Sequence, residues 1–331
     1  MKLKKCAALL LVSSCLLTGC TTSSAKKVDS KYVVASLEKG NKTKNIFADN
    51  LYKDIIDNSS NNSTVFNAVL QNLVDQKFPV NDDMKEDAAT IIKQIKSAYK
   101  SNYGDNYKDS LNQALTSAGY KNLSEYRQKM IKQIQYANFL LDYIDDHFDD
   151  VFNDYYQQCA PKYVSLIKIS VSDTSSPTDD ETSKLNEVKE LISNTDKSFG
   201  DIAQDYSNDS TSSKKGSLGI VDSKDTSGIA NSYGKDVFNA IEALSEGQVS
   251  DVITGDNGYY FVKVTSTDKK TFKKELKKTD IDSPLLAYDD YLQYVVYNSY
   301  KINYKDKDIK KIVQEVVNKA LEERKTERGE A

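Results

Sequence analysis

The chain has 331 residues but only one histidine, His147, and no tryptophan. A single imidazole leaves no zinc-ligand spacing and no Ser-His-Asp or Cys-His arrangement for nucleophilic catalysis. His147 sits in Asp145-Asp146-His147-Phe148-Asp149-Asp150, which reads as a solvated acidic helix end with no second histidine to complete a metal site. No Gly-rich phosphate loop and no dinucleotide fingerprint are present, so no cofactor is implied. An excess of basic residues is also missing. Lys and Arg number 45 against 49 Asp and Glu, a net charge of −4. That excludes a nucleic-acid partner, which requires a basic face, and argues against electrostatic adhesion to anionic lipid. Cysteine is sparse: Cys6, Cys15, Cys20 and Cys159. Only Cys159 follows Cys20, so the body of the protein holds no intramolecular disulfide and depends on burial for stability. Cys159 itself reads as a small core residue. Beyond Cys20 no apolar run reaches the ~20 residues needed to span a bilayer.

The N-terminus is different in kind. Lys2, Lys4 and Lys5 precede an apolar run from Cys6 to Leu17, followed by Leu17-Thr18-Gly19-Cys20. A charged start, a short apolar stretch and small residues before a cut site describe a secretory signal over residues 1–19. A cysteine directly after Leu-Thr-Gly resembles a bacterial lipobox, in which Cys20 is lipidated and becomes the new N-terminus. The run is too short for a transmembrane anchor. These residues predict a lipid-anchored protein on the extracytoplasmic face of the cell membrane, where ATP is not available.

Past Cys20, residues 20–29 read as a lipidated polar tether and residues 30–160 as mostly helical. Val65, Phe66, Val69, Leu70, Leu73 and Val74 form one apolar stripe. Leu123, Tyr126, Met130, Ile134, Ala137, Leu141 and Ile144 form a second. Asn122 with Glu125 three residues on resembles a capping box at the start of that helix. From Pro161 the pattern changes. Tyr163–Val171, Gly216–Val221 and Gly258–Val264 read as strands. Helices are expected around Leu185–Ile192, Phe199–Tyr206 and Val237–Leu244. Residues 267–331 return to helix, with a stripe of Ile309, Ile312, Val313, Val316, Val317, Ala320 and Leu321. That face needs a partner, and the N-terminal helical region is the expected one. The reading is an α+β chain: a helical domain from residues 30–160 and 267–331, with the segment 161–266 inserted as a small antiparallel sheet with surrounding helices. Tyr288, Tyr291, Tyr294, Tyr297 and Tyr300 recur every third residue, which reads as core packing or as an adhesive aromatic edge.

Three stretches of the inserted segment resemble the parvulin-type peptidyl-prolyl isomerase domain. The run from Phe199 to Asp209, with Ile202, Ala203, Tyr206 and Ser207, is similar to the family's Phe-x-x-Leu-Ala-x-x-Tyr-Ser-x-Asp. Gly216-Ser217-Leu218-Gly219 is similar to Gly-x-Leu-Gly. Phe238, Ala240, Leu244, Gly247 and Ser250, then Gly258-Tyr259-Tyr260-Phe261-Val262-Lys263-Val264, match the closing motifs. The flanks, with Val33-Val34-Ala35, Phe47 and Leu115 to Gly119, resemble the helical chaperone domain of PrsA and SurA proteins. The resemblance to PrsA foldase lipoproteins covers nearly the whole chain after the signal. It implies binding of unfolded, newly secreted polypeptides with X-Pro segments, in a Gram-positive cell, with a helical cradle that one or two copies could build.

The resemblance also implies a site. Leu218 and Phe238 match positions of the apolar proline pocket, and a third pocket position falls at Gly234. Asp209 matches the Asp/Cys of the polar cluster. The family's two histidines align with Lys168 and Tyr260, so a Lys168–Asp209 ion pair is the expected substitute. Two readings stay open: an isomerase working without its histidines, or a parvulin-like domain that binds prolyl peptides without catalysis. A solute-binding lipoprotein of a transporter is a further alternative, although no repeated βα units are visible. A structural envelope lipoprotein is another.

Overall fold

The computed structural model describes residues 27–39, 42–255, 257–278 and 280–330. The signal and the Cys20 lipidation position lie outside the described residues. In chain order the elements are β1 (Lys27–Val28), β2 (Lys31–Lys39), β3 (Lys42–Phe47), α1 (Ala48–Ile56), α2 (Asn62–Lys77), α3 (Asp82–Tyr103), α4 (Tyr107–Ser117), α5 (Leu123–Asp146) and α6 (Phe148–Cys159). There follow β4 (Lys162–Ser170), α7 (Asp179–Asn194), α8 (Phe199–Tyr206), β5 (Ser217–Val221), α9 (Ile229–Tyr233), α10 (Lys235–Ala243), β6 (Ile253–Gly255) and β7 (Gly258–Ser266). The last are α11 (Lys269–Leu276), α12 (Leu292–Ser299) and α13 (Lys307–Glu327). Among the described residues no helix is long and apolar enough to cross a membrane.

The chain divides into two compact units. One runs from Asp82 to Asp290; the other joins the segment ending at Asn81 to that beginning at Tyr291. In the second unit α13 packs on α2 and α12. Val65, Phe66, Leu70 and Val74 of α2 are buried, as are Ile312, Val313, Val317 and Ala320 of α13. Spacings of three and four place these residues on one helical face each, which is what lets the two ends of the chain share a core. Phe66 at the centre stacks on Tyr294 at 5.0 Å and meets Tyr297 edge-on at 5.1 Å. The start of this unit is not helical, as the sequence suggested, but a three-stranded antiparallel sheet in the order β1-β2-β3. Tyr32, Val34 and Ile46 on it are exposed, so no buried face announces it.

The tyrosine run also departs from a single helical stripe, because α12 spans only Leu292–Ser299. Tyr288, in the first unit, is buried, donates to Asp154 at 2.8 Å and meets Tyr155 edge-on. Tyr291 and Tyr297 bond to Glu327 and Tyr304. Tyr288 and Tyr297 are buried packing residues, whereas Tyr291, Tyr294 and Tyr300 are half-buried.

In the first unit, Asn122 caps α5 by accepting the Glu125 N–H at 2.9 Å, and Glu125 reaches back to the Lys121 N–H at 2.7 Å. His147 closes α5: its ring stacks on Tyr143, and its Nδ1 lies 2.9 Å from the Tyr143 carbonyl. Cys159 is buried at the end of α6. The sheet here has the order β5-β4-β7-β6, every pair antiparallel. Alternation along β4 sends Ile167 and Ile169 to one face, against Leu185, Val188, Phe199, Ile202 and Ala203 of α7 and α8. Val164 and Leu166 face the other side, against Val221, Ile229, Val237, Ile241, Tyr260 and Val262. The α+β architecture expected from the β-branched runs is the one present.

Candidate functional site

The second of those faces carries the candidate site. Leu218, Tyr233 and Phe238 are half-buried and pack against its buried cluster, forming an apolar rim. They come from β5, the end of α9 and the middle of α10. Local chemistry sets each in place. Gly216 has φ +75, and a Cβ there would lie 2.4 Å from the Leu166 carbonyl oxygen, so only glycine lets the chain enter β5 against β4. Asp225 accepts the Ile229 and Ala230 N–H groups and so starts α9. Lys162 donates to the Ile241 and Glu242 carbonyls at 3.0 and 2.7 Å, fastening the end of α10 to β4. Gly234 adds no side chain to the rim. With φ +99 and open space where a Cβ would project, it joins α9 to α10.

Asp209 is brought to this face by a loop laced onto β4. The Ser207 hydroxyl accepts the N–H groups of Lys168 and Asp209, at 3.0 and 3.2 Å, and the Asn208 N–H donates to the Lys168 carbonyl at 2.7 Å. Asp209 is only 9% exposed. Its Oδ1 accepts from the N–H and the hydroxyl of Thr211, each at 2.8 Å, and from the Tyr233 hydroxyl at 3.4 Å. These donors replace the water that burial removes from its oxygens. Burial, and next the Asp209 carboxylate, push the Tyr233 hydroxyl well above its usual range, so it remains a donor at any physiological pH.

Lys168 and Tyr260 stand directly opposite each other on β4 and β7. The Lys168 ammonium lies 5.6 Å from the Tyr260 ring centre, a cation–π distance. The expected Lys168–Asp209 ion pair does not form. Among the described residues no ion pair engages either group, because Thr211 and Tyr233 hold the carboxylate and the lysine leans on the ring instead. Tyr260 donates its hydroxyl to Asn257 Oδ1 at 2.8 Å and meets Tyr233 edge-on, ring centres 6.3 Å apart. The structure therefore brings together Leu218, Phe238, Asp209, Lys168 and Tyr260 on one sheet face. Sequence reasoning passed over Tyr233. The signal for it was its place one residue before Gly234, a polar-tipped ring beside a pocket position. Among the described residues there is no group of three or more His, Cys, Asp or Glu arranged to hold a metal ion.

An apolar rim next to a buried carboxylate and two phenols can grip a small ring and surround an amide with donors and an acceptor. Residues 166–266 match the family model of the rotamase, PPIC-type PPIase domain. Over 141 residues the chain is 32% identical to the foldase protein PrsA of Staphylococcus aureus strain MRSA252. It is 33% identical over 141 residues to that of Staphylococcus epidermidis strain ATCC 12228. Each alignment covers 40% of this chain, and the chain spans 41% of the length of these relatives. The crystal structure of foldase protein PrsA from Streptococcus pneumoniae aligns with 85% of this chain and 99% of its own, at 19% identity and a TM-score of 0.42. PrsA from Bacillus subtilis aligns with 85% of this chain and 98% of its own, at 22% identity and a TM-score of 0.38. The chain carries a PPIC-type parvulin domain at residues 166–266 and is similar, over 141 residues, to PrsA foldases.

Proposed function

We propose that this protein is a lipid-anchored extracytoplasmic foldase, in which residues 161–266 accelerate X-Pro isomerisation and the helical unit holds unfolded exported chains. The observation that carries the reading is the packing of Leu218, Tyr233 and Phe238 on one sheet face, with Asp209 bonded to Tyr233, inside the segment that matches the PPIC-type family. Rotation about a peptide bond meets a barrier of ~18–20 kcal/mol, and X-Pro bonds exchange uncatalysed in roughly tens to hundreds of seconds. Speeding this requires no covalent step, only tighter binding of the twisted amide than of the planar one. The apolar rim is suited to the proline ring, and the polar cluster to the amide.

The holding function is supported by the second unit. An open groove of about 470 Å³ lies among α1, α2 and α13, lined by Ile55, Ile56, Val69, Leu73, Ile302 and Ile309, with Tyr52 at its edge. Val69 and Leu73 belong to the α2 stripe, yet they stay half-exposed in the groove. An apolar segment of an unfolded client would cover them, weakly and without ATP. Anchoring follows from Leu17-Thr18-Gly19-Cys20. Cys20→Ala should abolish incorporation of labelled fatty acid and release the protein from membranes.

The test of the isomerase is exchange spectroscopy on an X-Pro peptide with the full-length chain in detergent. Asp209→Ala and Phe238→Ala should each return the rate toward background. A wild-type rate equal to the uncatalysed one removes the catalytic reading. The position of Lys168 favours a second reading in that event. A lysine has no acceptor and carries a full charge, so it does not replace an imidazole, and the site would then bind prolyl segments without turning them. Peptide binding at a background rate is its signature.

A further inference from the structure

The two phenols at the site are not equivalent. Tyr260 has its hydroxyl on Asn257 Oδ1 at 2.8 Å, the usual length for such a bond. Tyr233 reaches Asp209 Oδ1 only at 3.4 Å. That oxygen already accepts two bonds of 2.8 Å from Thr211, so it stays paired if Tyr233 turns away. Among the described residues no hydrogen bond reaches the other carboxylate oxygen, Oδ2. Tyr233 is also the polar member of the rim: it packs on the same buried cluster as Leu218 and Phe238 and remains half-exposed. A proline ring seated on that rim would bring its amide beside this phenol.

The chemistry of the twisted amide gives the phenol a task. In the planar amide the nitrogen lone pair is conjugated into the carbonyl and accepts no hydrogen bond. Rotation breaks the conjugation and returns the lone pair to nitrogen, which then becomes an acceptor. A donor aimed at that nitrogen binds the twisted state and ignores the planar one, which is what lowers a barrier. Hydrogen bonds of this kind are often long before substrate arrives and tighten only in the reacting complex.

We propose that the Tyr233 hydroxyl swings from Asp209 to the prolyl nitrogen and donates to it in the twisted state, supplying in this histidine-free site the donor that drives isomerisation. Asp209, held by Thr211, keeps its second oxygen for a substrate N–H. No bond is made or broken in the step, and the phenol keeps its proton throughout. The inference rests on the isomerase reading above.

Exchange spectroscopy tests it on the full-length chain in detergent, with one X-Pro peptide as probe and peptide affinity read in the same titration. Tyr233→Phe keeps the ring and removes only the donor. The catalysed rate should fall at least about tenfold, equivalent to 1.36 kcal/mol, while peptide affinity and melting temperature hold. Tyr259→Phe, which removes a phenol packed on the opposite face of the sheet, should lose less than about threefold, or under 1 kcal/mol. Wild-type activity with an unaltered Tyr233→Phe rate overturns the inference and leaves the isomerase reading standing. So does a large loss in Tyr260→Phe with none in Tyr233→Phe, which would move the donor to β7. A wild-type rate at background overturns both. If Tyr233→Phe melts early, Tyr233→His supplies a donor of another kind: restored rate supports the inference, and continued loss rejects it.

Discussion

Asp222 has no exposed surface. Donors take the place of water at its oxygens: Tyr155 donates to it at 2.9 Å, the N–H groups of Lys224 and Thr226 reach it, and the Thr226 hydroxyl bonds to it as well. Tyr155 comes from α6 and Asp222 from the end of β5, so this bond ties the helix before the parvulin segment to the strand that begins its site. Removing the phenol hydroxyl leaves a buried acceptor one donor short, which costs roughly 1–3 kcal/mol. Tyr155→Phe should lower the chemical-denaturation free energy of the unit by that amount, with little change in the site. Gly216 makes the complementary case, where space decides rather than charge. An alanine there faces both a φ of +75 and the Leu166 carbonyl. The left-handed backbone alone costs a non-glycine residue about 1–2 kcal/mol, and the clash adds to it. Gly216→Ala should therefore lower the melting temperature by several degrees and displace Leu218, so that isomerase activity falls with stability.

At the scale of elements, buried phenols set the alkaline limit. Burial, and next the carboxylates of Asp222 and Asp209, raise the hydroxyls of Tyr155 and Tyr233 above their usual value of 10.0. The folded state thus prefers the protonated phenols. Their contribution to stability is complete below pH 10 and is lost as pH rises through the higher folded values. Unfolding free energy should be level from neutrality to about pH 9 and fall beyond the usual tyrosine value, and Tyr155→Phe should flatten that fall. A profile falling already at neutral pH would contradict it. Elements were legible in proportion to how strictly burial imposed a period. The runs of β4 and β7 are apolar on both faces because both are covered, and α5 and α13 show clean stripes. β2 and β3 escaped because Tyr32, Val34 and Ile46 stay exposed, so no alternation is enforced there. The site was half legible for a related reason. Leu218, Phe238 and Asp209 lie within motifs of fixed spacing. Tyr233 enters only through the junction that Gly234 makes between α9 and α10, and Asp209 is claimed by Thr211 in a local turn that no long-range pattern encodes.

For the whole molecule, the two proposed tasks rest on different residues in different units, and that makes them separable. The proposed isomerase site uses Asp209, Tyr233 and Phe238 in the unit from Asp82 to Asp290. The proposed holding groove uses Val69 and Leu73 of α2 and Ile309 of α13 in the other. Leu73 is half-buried at the groove wall, so a lysine there can extend its ammonium to water while placing a charged chain across the apolar floor. Burying a client's apolar side chain in that groove is worth ~1.5–3 kcal/mol, enough for reversible holding and easily cancelled by one charge. Leu73→Lys should raise the molar ratio needed to suppress aggregation of an unfolded secretory protein, read by light scattering, by roughly tenfold for each 1.4 kcal/mol lost. Its peptide isomerisation rate should stay at the wild-type value. Asp209→Ala should do the reverse, slowing isomerisation while holding persists. If Leu73→Lys suppresses aggregation as well as the wild type does, the groove is not the holding surface. If either variant loses both activities while still melting at the wild-type temperature, the two tasks are one function carried out by the whole chain.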